Sequence, residues 1–414
     1  MLDDAPASSA NRAESTAAPA LGAAPRVLML CGDAEHNLGD RAILQAMCQE
    51  LRAVRPDIKL TVLSRDARRA GQDFGAEVLP PGWRGFARLC RAAMRSDLVL
   101  CGGGGLFQDD DSLIKMPYWG LRGALARMLA RRVVGYALGV GPLRARSSRL
   151  SARLAFACME PVSVRDHQAR EVAQRLTKKP LVVLPDPALF LKAADPEAAR
   201  AWLTAQGVPL DRRPLIGVAP RRWFPPRSRI IPHSVAVSIG LPDEQRSAAG
   251  QRLLGLLAQV LDRIVQRHDA YFLFLPTYCV RHEGDDRIGE EILARMARPR
   301  GKILRISSAP LYKAVAGQLN AMLGGRMHPT ILAAAAGTPV VGLAYNQKFR
   351  GFFELLGYPE RVLDVTSFVD GALVDRLETL LETALAGGRV DRAPIEALGQ
   401  ELRAFNRRLL RDQP

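Results

Sequence analysis

Asn320 to Tyr345 reads NAMLGGRMHPTILAAAAGTPVVGLAY. A strand-like apolar run stops at two glycines, and Arg326 and His328 follow at once. Pro329 suits the first turn of a helix, where its missing N–H costs nothing, and Gly337 suits that helix's C-terminal cap. His328 is therefore expected at a helix N-terminus, where free amides and the macrodipole favour an anion. A purely structural, capping histidine would fit the same place. Arg326 adds a second cationic group in the same turn, which favours a site for a small polyanion with a titratable imidazole beside it.

A second group of chemical residues lies near the N-terminus, in CGDAEHNLGD. Asp40 stands between a strand and a helix and is expected to cap that helix. A carboxylate so fixed would also suit an acid or base. His36, Asn37 and Gly39 form a polar approach to it. Further on, CGGGGLFQDDDS is Gly-rich but lacks the lysine of a P-loop and the GxGxxG spacing, so it is a weak nucleotide signature. Its glycines, Gly104 among them, would let backbone amides approach a ligand closely. Gln108 and Asp109 could hydrogen-bond sugar hydroxyls, whereas the run Asp109 to Asp111 reads as a solvated turn rather than a metal site. In GVAPRRWFP, Arg221 and Arg222 end a strand and could grip an anion bidentately, with ordinary surface charge as the competitor. Asp166 and Asp186 read as local devices, a helix cap paired to Arg165 and a turn before proline.

These residues need elements to hold them. From Arg26 the chain alternates short apolar strands with helices: RVLMLCG, KLTVLS, SDLVLCGGGG, RRVVGYALGVGP, PVSVRD and KPLVVLPDPALFL. DRAILQAMCQELRAV carries apolar residues at helical spacing. This alternation predicts a parallel, doubly wound sheet. After a helix and linker, PLIGVAPRRWF, AYFLFLPTY and GKILRIS begin a second set that ends in the Asn320–Tyr345 segment. The fold expected is α/β, two Rossmann-like domains facing across a cleft. The boundaries expected are a disordered tail over 1–24, a first Rossmann-like domain over 25–195 and a second over 212–390. A final helix, within 391–414, is expected to pack back on the first domain. Each motif falls at the carboxyl end of a strand, where open α/β sheets bind ligands. The stretch 223–245 is Pro-, Arg- and His-rich without period, as binding loops and insertions are.

The chain has 414 residues, too many for one ordinary core, and its 48% hydrophobic and 24% charged content is that of a globular protein. A formal charge of +16 calls for an anionic partner. Aromatic residues make up only 6%, and nucleic-acid signatures are missing, so nucleic acid is not expected as that partner. Cys31, Cys48, Cys90, Cys101, Cys158 and Cys279 form no CxxC pair and read as thiols of a reducing compartment. With neither a signal peptide nor a bilayer-length apolar segment, the expected location is cytoplasmic, and the basic surface could hold the protein loosely on the inner face of a membrane.

NLGDRAIL, DLVLCGGGGLFQD, GVGP, SVRD, DPAL and GGRMHPTILAAAAGTPVVGLAYNQKFRGFFELLG, in that order, resemble the polysaccharide pyruvyl transferase family. That resemblance implies a fold like the two-domain GT-B glycosyltransferases, phosphoenolpyruvate as donor, a sugar diol or lipid-linked oligosaccharide as acceptor, release of phosphate, and no metal or other cofactor. Carried over by position, Arg326 and His328 belong to the family's donor-site motif, Asp40 to its Gly-Asp motif on the facing domain, and Arg221 and Lys348 to basic positions on the donor side. The chemistry of ketal formation makes Asp40 and His328 the expected catalytic pair, and the residues themselves add Gly325 to the donor side and Asn37, Gly104, Gln108 and Asp109 as the acceptor side. The proton-transfer direction between Asp40 and His328 is left open. The main rival is a GT-B glycosyltransferase using a nucleotide sugar. Against it, Glu354 and Glu360 do not make the E-x7-E pair many such enzymes carry. A non-catalytic basic glycan- or membrane-binding protein would explain the charge but not the Asp, Arg and His at strand ends.

Overall fold

The computed structural model describes residues 24–32, 34–110, 112–221, 247–279, 284–345 and 347–411. Arg222 and the 223–245 segment lie outside them. Seven parallel strands form the first sheet: β1 (Arg26–Leu30), β2 (Lys59–Leu63), β3 (Glu77–Leu79), β4 (Leu98–Phe107), β5 (Val133–Val140), β6 (Val162–Val164) and β7 (Leu181–Val183). Their spatial order is β3-β2-β1-β4-β5-β6-β7. Six more, β8 (Leu215–Ala219), β9 (Tyr271–Phe274), β10 (Gly301–Ile303), β11 (Ala321–Gly324), β12 (Val340–Ala344) and β13 (Val362–Asp364), form a second parallel sheet in the order β10-β9-β8-β11-β12-β13.

The central strands β5, β8 and β12 are buried at every residue, which is why they read as unbroken apolar runs rather than alternating ones. The edge strands β3 and β13 hold only three residues each, too few to show a pattern in the sequence. In each sheet the chain winds outward one way and then the other, so the order reverses between β1 and β4 and between β8 and β11. These two crevices are where a doubly wound sheet offers its carboxyl ends to a ligand.

One continuous apolar cluster joins the domains, running from Met29 and Met47 through Leu189 and Leu203 to Tyr312 and Phe353. The last helix, Ala393–Leu410, lies on the Leu38–Val54 helix of the first domain. There Asn406 accepts a hydrogen bond from the buried Tyr136 hydroxyl at 2.8 Å, and Arg403 pairs with Glu50 at 2.9 Å.

Candidate active site

On the second domain the site starts where β11 meets β8. A β-carbon on Gly325 would lie 3.0 Å from the Ala219 carbonyl oxygen and 3.1 Å from the Arg221 amide, so glycine is what lets the two strand ends close up. The next residue, Arg326, opens the Met327–Ala335 helix, and its carbonyl accepts from the Thr330 hydroxyl at 2.8 Å. Its guanidinium is not free. Nε donates to Asp285 Oδ1 at 2.6 Å, while Asp285 Oδ2 accepts the amides of Thr277 and Tyr278 at 3.2 and 3.1 Å. Burial pushes the Asp285 carboxyl up, and Arg326 with the two amides holds it back. The arginine is thus aimed by a buried carboxylate before any ligand arrives.

On the first domain the cap of the Leu38–Val54 helix is Asn37, not Asp40. Asn37 Oδ1 accepts the Gly39 amide at 2.9 Å, and its backbone is extended (φ −115°, ψ 108°) as a cap requires. Asp40 sits inside the first turn instead, where the dipole still favours its charge, and Asn37 Nδ2 donates to its Oδ2 at 3.1 Å. Gly32, just after β1, makes room for that carboxylate, since a β-carbon there would lie 2.9 Å from Asp40 Oδ2, and the glycine run of β4 borders it. A β-carbon on Gly104, whose φ is +104°, would lie 3.4 Å from Asp40 Oδ1. Leu38 N–H donates to the Thr277 carbonyl at 3.0 Å, and Asn37 bridges Tyr278, so the start of this helix is tied to the loop that Asp285 clamps.

His328 closes the gap between the domains. A β-carbon on Gly39 would lie 2.1 Å from His328 Nδ1, which means the imidazole rests directly on the helix turn that carries Asp40. Among the described residues its Nε2 has no hydrogen-bond partner, and it lies 3.8 Å from Asp186 Oδ2. Asp186 is buried, caps the turn Pro187–Phe190 through the Ala188 amide at 3.0 Å, and pairs with Arg165 Nη1 at 3.3 Å. Arg165 is itself buried, with Nε 3.5 Å from Asp166 Oδ2, and its Nε and Nη2 make no hydrogen bond among the described residues. Lys348 reaches across from the second domain: its Nζ would lie 3.1 Å from a β-carbon on Gly105 of β4. Gln108 Oε1 would lie 3.2 Å from the same point and is buried without a hydrogen-bond partner among the described residues. Burial, reinforced by Arg165, Arg326 and Lys348, pushes the His328 imidazole down to about 4, against the upward pull of Asp186. It is therefore neutral at pH 7.

The structure thus gathers Asn37, Asp40, Gly104, Gln108, Arg326, His328 and Lys348 where the domains meet. Arg221 stands one step away behind Gly325, its guanidinium carbon 3.7 Å over the Tyr345 ring. A shallow pocket opens beside that pair, lined by Leu253, Leu257, Leu323, Leu343 and Val365. Asp109 does not face the site and is not part of a solvated turn. It is fully buried, and its carboxylate accepts the amides of Arg144 and Ala145 at 2.9 Å, holding the entry to the Arg146–Ala157 helix. Asp166 does cap its helix, through the Ala169 amide at 2.6 Å. Arg165 and Asp186 are the residues whose local reading was too narrow. Each follows a strand of the first sheet, the same signal that singles out Asp40 and His328.

Chemically, the arrangement offers three cationic side chains, a neutral imidazole and a carboxylate held on the opposite wall. Arg165 Nε and Nη2, buried donors without a hydrogen bond among the described residues, favour a ligand rich in anionic oxygens. Comparison with known proteins agrees on fold and family. The UDP-GlcNAc 2-epimerase from Methanocaldococcus jannaschii superposes over 92% of this chain and 98% of its own, with a TM-score of 0.59 at 11% identity. The sucrose-phosphate synthase from Thermosynechococcus elongatus does so over 94% and 95%, with a TM-score of 0.51 at 12% identity. Both likenesses are of fold, the GT-B-like pairing of two Rossmann-like domains. In sequence, 60 residues are 35% identical to the amylovoran biosynthesis protein AmsJ of Erwinia amylovora, a stretch spanning 14% of each chain. The model of the polysaccharide pyruvyl transferase family matches residues 37–347, from the Asn37 cap through Arg165, Asp186 and His328. Over three quarters of its length, with these side chains inside the match, the chain belongs to the polysaccharide pyruvyl transferase family.

Proposed function

We propose that the protein transfers the pyruvyl group of phosphoenolpyruvate to two hydroxyls of a sugar as a ketal, releasing phosphate, in the synthesis of a bacterial polysaccharide or cell-wall glycan. The observation that carries this reading is the neutral His328 resting on the turn of Asp40 amid Arg165, Arg326 and Lys348. Phosphoenolpyruvate bears a carboxylate and a phosphate on adjacent atoms and needs more than one cation to hold it. In the reaction the methylene carbon takes a proton and C2 becomes electron-poor. One sugar hydroxyl adds to C2, the C2–O bond to phosphate breaks, and the neighbouring hydroxyl adds in turn. Of the two hydroxyl protons lost, one balances the new methyl group and the other leaves on phosphate. Asp40 serves as the acid towards the methylene carbon. His328, with its imidazole pushed down to about 4, accepts the hydroxyl proton. Asp186 keeps that ring in place from behind. No metal or other cofactor enters this scheme.

A second reading keeps one observation. The pocket beside Arg221 and Tyr345 has a mainly apolar lining, which would suit the base of a nucleotide sugar in a GT-B glycosyltransferase better than phosphoenolpyruvate. Parallel turnover assays separate the two. With sugar, nucleotide-linked or lipid-linked acceptors, inorganic phosphate should appear from phosphoenolpyruvate, and no nucleoside diphosphate from nucleotide sugars. Turnover of a nucleotide sugar with no phosphate release from any acceptor would sink the first reading.

A further inference from the structure

We propose that the face built by the helices Phe86–Arg95, Lys115–Leu129 and Arg146–Ala157 docks the protein on an anionic lipid bilayer. Every large apolar side chain that stands exposed among the described residues lies on or beside these helices. Met128 is 81% exposed, Leu121 69% and Leu150 67%. The helices already bury an inner face against the first sheet, through Met116, Trp119, Ala126, Ala152 and Phe156. Their outer apolar residues are therefore surplus to the core. Tyr118, Leu121 and Met128 recur at helical spacing along one stripe, and Leu150 and Leu154 form another on the helix packed beside it. An exposed apolar patch of this extent marks an interaction surface.

Charge selects the partner. Ser112 to Met159 contains nine Lys and Arg and no Asp or Glu, and Val78 to Ser96 contains four Arg and no acid. Two copies of such a face would repel each other. A nucleic-acid backbone would satisfy the arginines but leave the leucines and methionines bare. Anionic headgroups with acyl chains beneath them satisfy both. Arg122 lies over Tyr118 and Trp119, its guanidinium carbon 4.6 and 5.5 Å from the two rings, an arrangement that pairs an apolar body with a charged head. Among the described residues no helix is long and apolar enough to cross a membrane, so the face would lie on the bilayer rather than in a span. The Lys115–Leu129 and Arg146–Ala157 helices start beyond the carboxyl ends of β4 and β5. The docked face therefore borders the wall that carries Gly104 and Gln108, and would present the site to glycans carried on lipid.

Co-sedimentation with vesicles tests this without any donor or acceptor, so its outcome is independent of the transfer reaction. The full chain should bind vesicles of phosphatidylcholine containing about one third phosphatidylglycerol, fail to bind phosphatidylcholine alone, and release as salt rises. The triple variants Leu121→Gln/Met128→Gln/Leu150→Gln and Arg127→Glu/Arg149→Glu/Arg153→Glu, altered only at exposed positions, should melt like the parent yet bind at least about tenfold more weakly. Absence of binding by the parent, or equal binding by the apolar variant, would overturn the proposal. So would a stable dimer of the parent that the apolar variant dissolves, since the face would then be a protein interface.

Discussion

An imidazole pushed down to about 4 stays neutral through the physiological range, which leaves one ring nitrogen available to take a proton. Its linkage to stability has a definite sign. Above pH 6.5 His328 is neutral whether folded or unfolded and contributes nothing. Between 6.5 and about 4 only the unfolded chain takes up the proton, so stability falls as pH falls. With 17% of the side chain still exposed, the loss should be roughly 1–3 kcal/mol. Urea denaturation of the parent and His328→Asn at pH 7 and pH 4.5 should show the parent losing more over that interval. At pH 7 His328→Ala should lower kcat by about 100-fold or more while unfolding cooperatively. Loss of cooperative unfolding would instead mark the histidine as structural. Asp285→Asn weakens the carboxylate that aims Arg326, and should cost about 3–5 kcal/mol if the buried pair is broken outright. Thermal melting reads that cost. Much of this chemistry is legible in the residues themselves, because Asp40, Arg326 and His328 stand at strand ends beside glycines. Arg165 and Asp186 are less so: their partner His328 lies on another domain, and near neighbours in sequence already explain them as cap and turn.

At the scale of elements, the first turn of the Leu38–Val54 helix is the hinge of the account. Asn37→Ala removes the side chain that both caps the helix and holds Asp40, and should cost about 1 kcal/mol in melting experiments. Gly39→Ala is the sharper probe. Alanine is the better helix former, yet its methyl would lie 2.1 Å from His328 Nδ1 and must displace the imidazole or part the domains. Turnover should fall at least about tenfold, the order that sub-ångström misplacement of a reacting group brings. Full activity in Gly39→Ala would show that the ring need not rest there. The same turn shows why pattern reading misassigns a cap. An Asp just before an apolar helical pattern looks like the cap, but the cap lies three residues earlier, where Asn37 turns the chain. Asp109 illustrates the opposite error. An acidic triplet looks solvated, yet its first member folds beneath the Arg144 and Ala145 amides, a contact that no local spacing announces.

The whole molecule depends on elements distant in sequence. The final helix buries Leu402, Phe405 and Leu409 on the first domain, each contributing about 1.5–3 kcal/mol. A chain ending before Ala393 should lose cooperative unfolding of the first domain, seen as a broadened, lowered melting transition. Both sheets are readable from the sequence as runs of buried strands. Their three-residue edges are not, and neither is the closeness of the domains, which arises from side chains such as Lys313 donating to the Leu189 and Leu191 carbonyls at 2.8 Å. That closeness is what makes one site from two half-sites. The most direct test of the transfer follows the carbon itself. Phosphoenolpyruvate labelled with carbon-13 at C2 is incubated with the protein and candidate sugar acceptors, and the products are read by NMR. Label is expected in a ketal carbon bonded to two sugar oxygens, with one phosphate released per ketal, and both products should form at least about 100-fold more slowly with His328→Ala. Label remaining wholly in phosphoenolpyruvate while a nucleotide sugar is consumed would contradict this expectation.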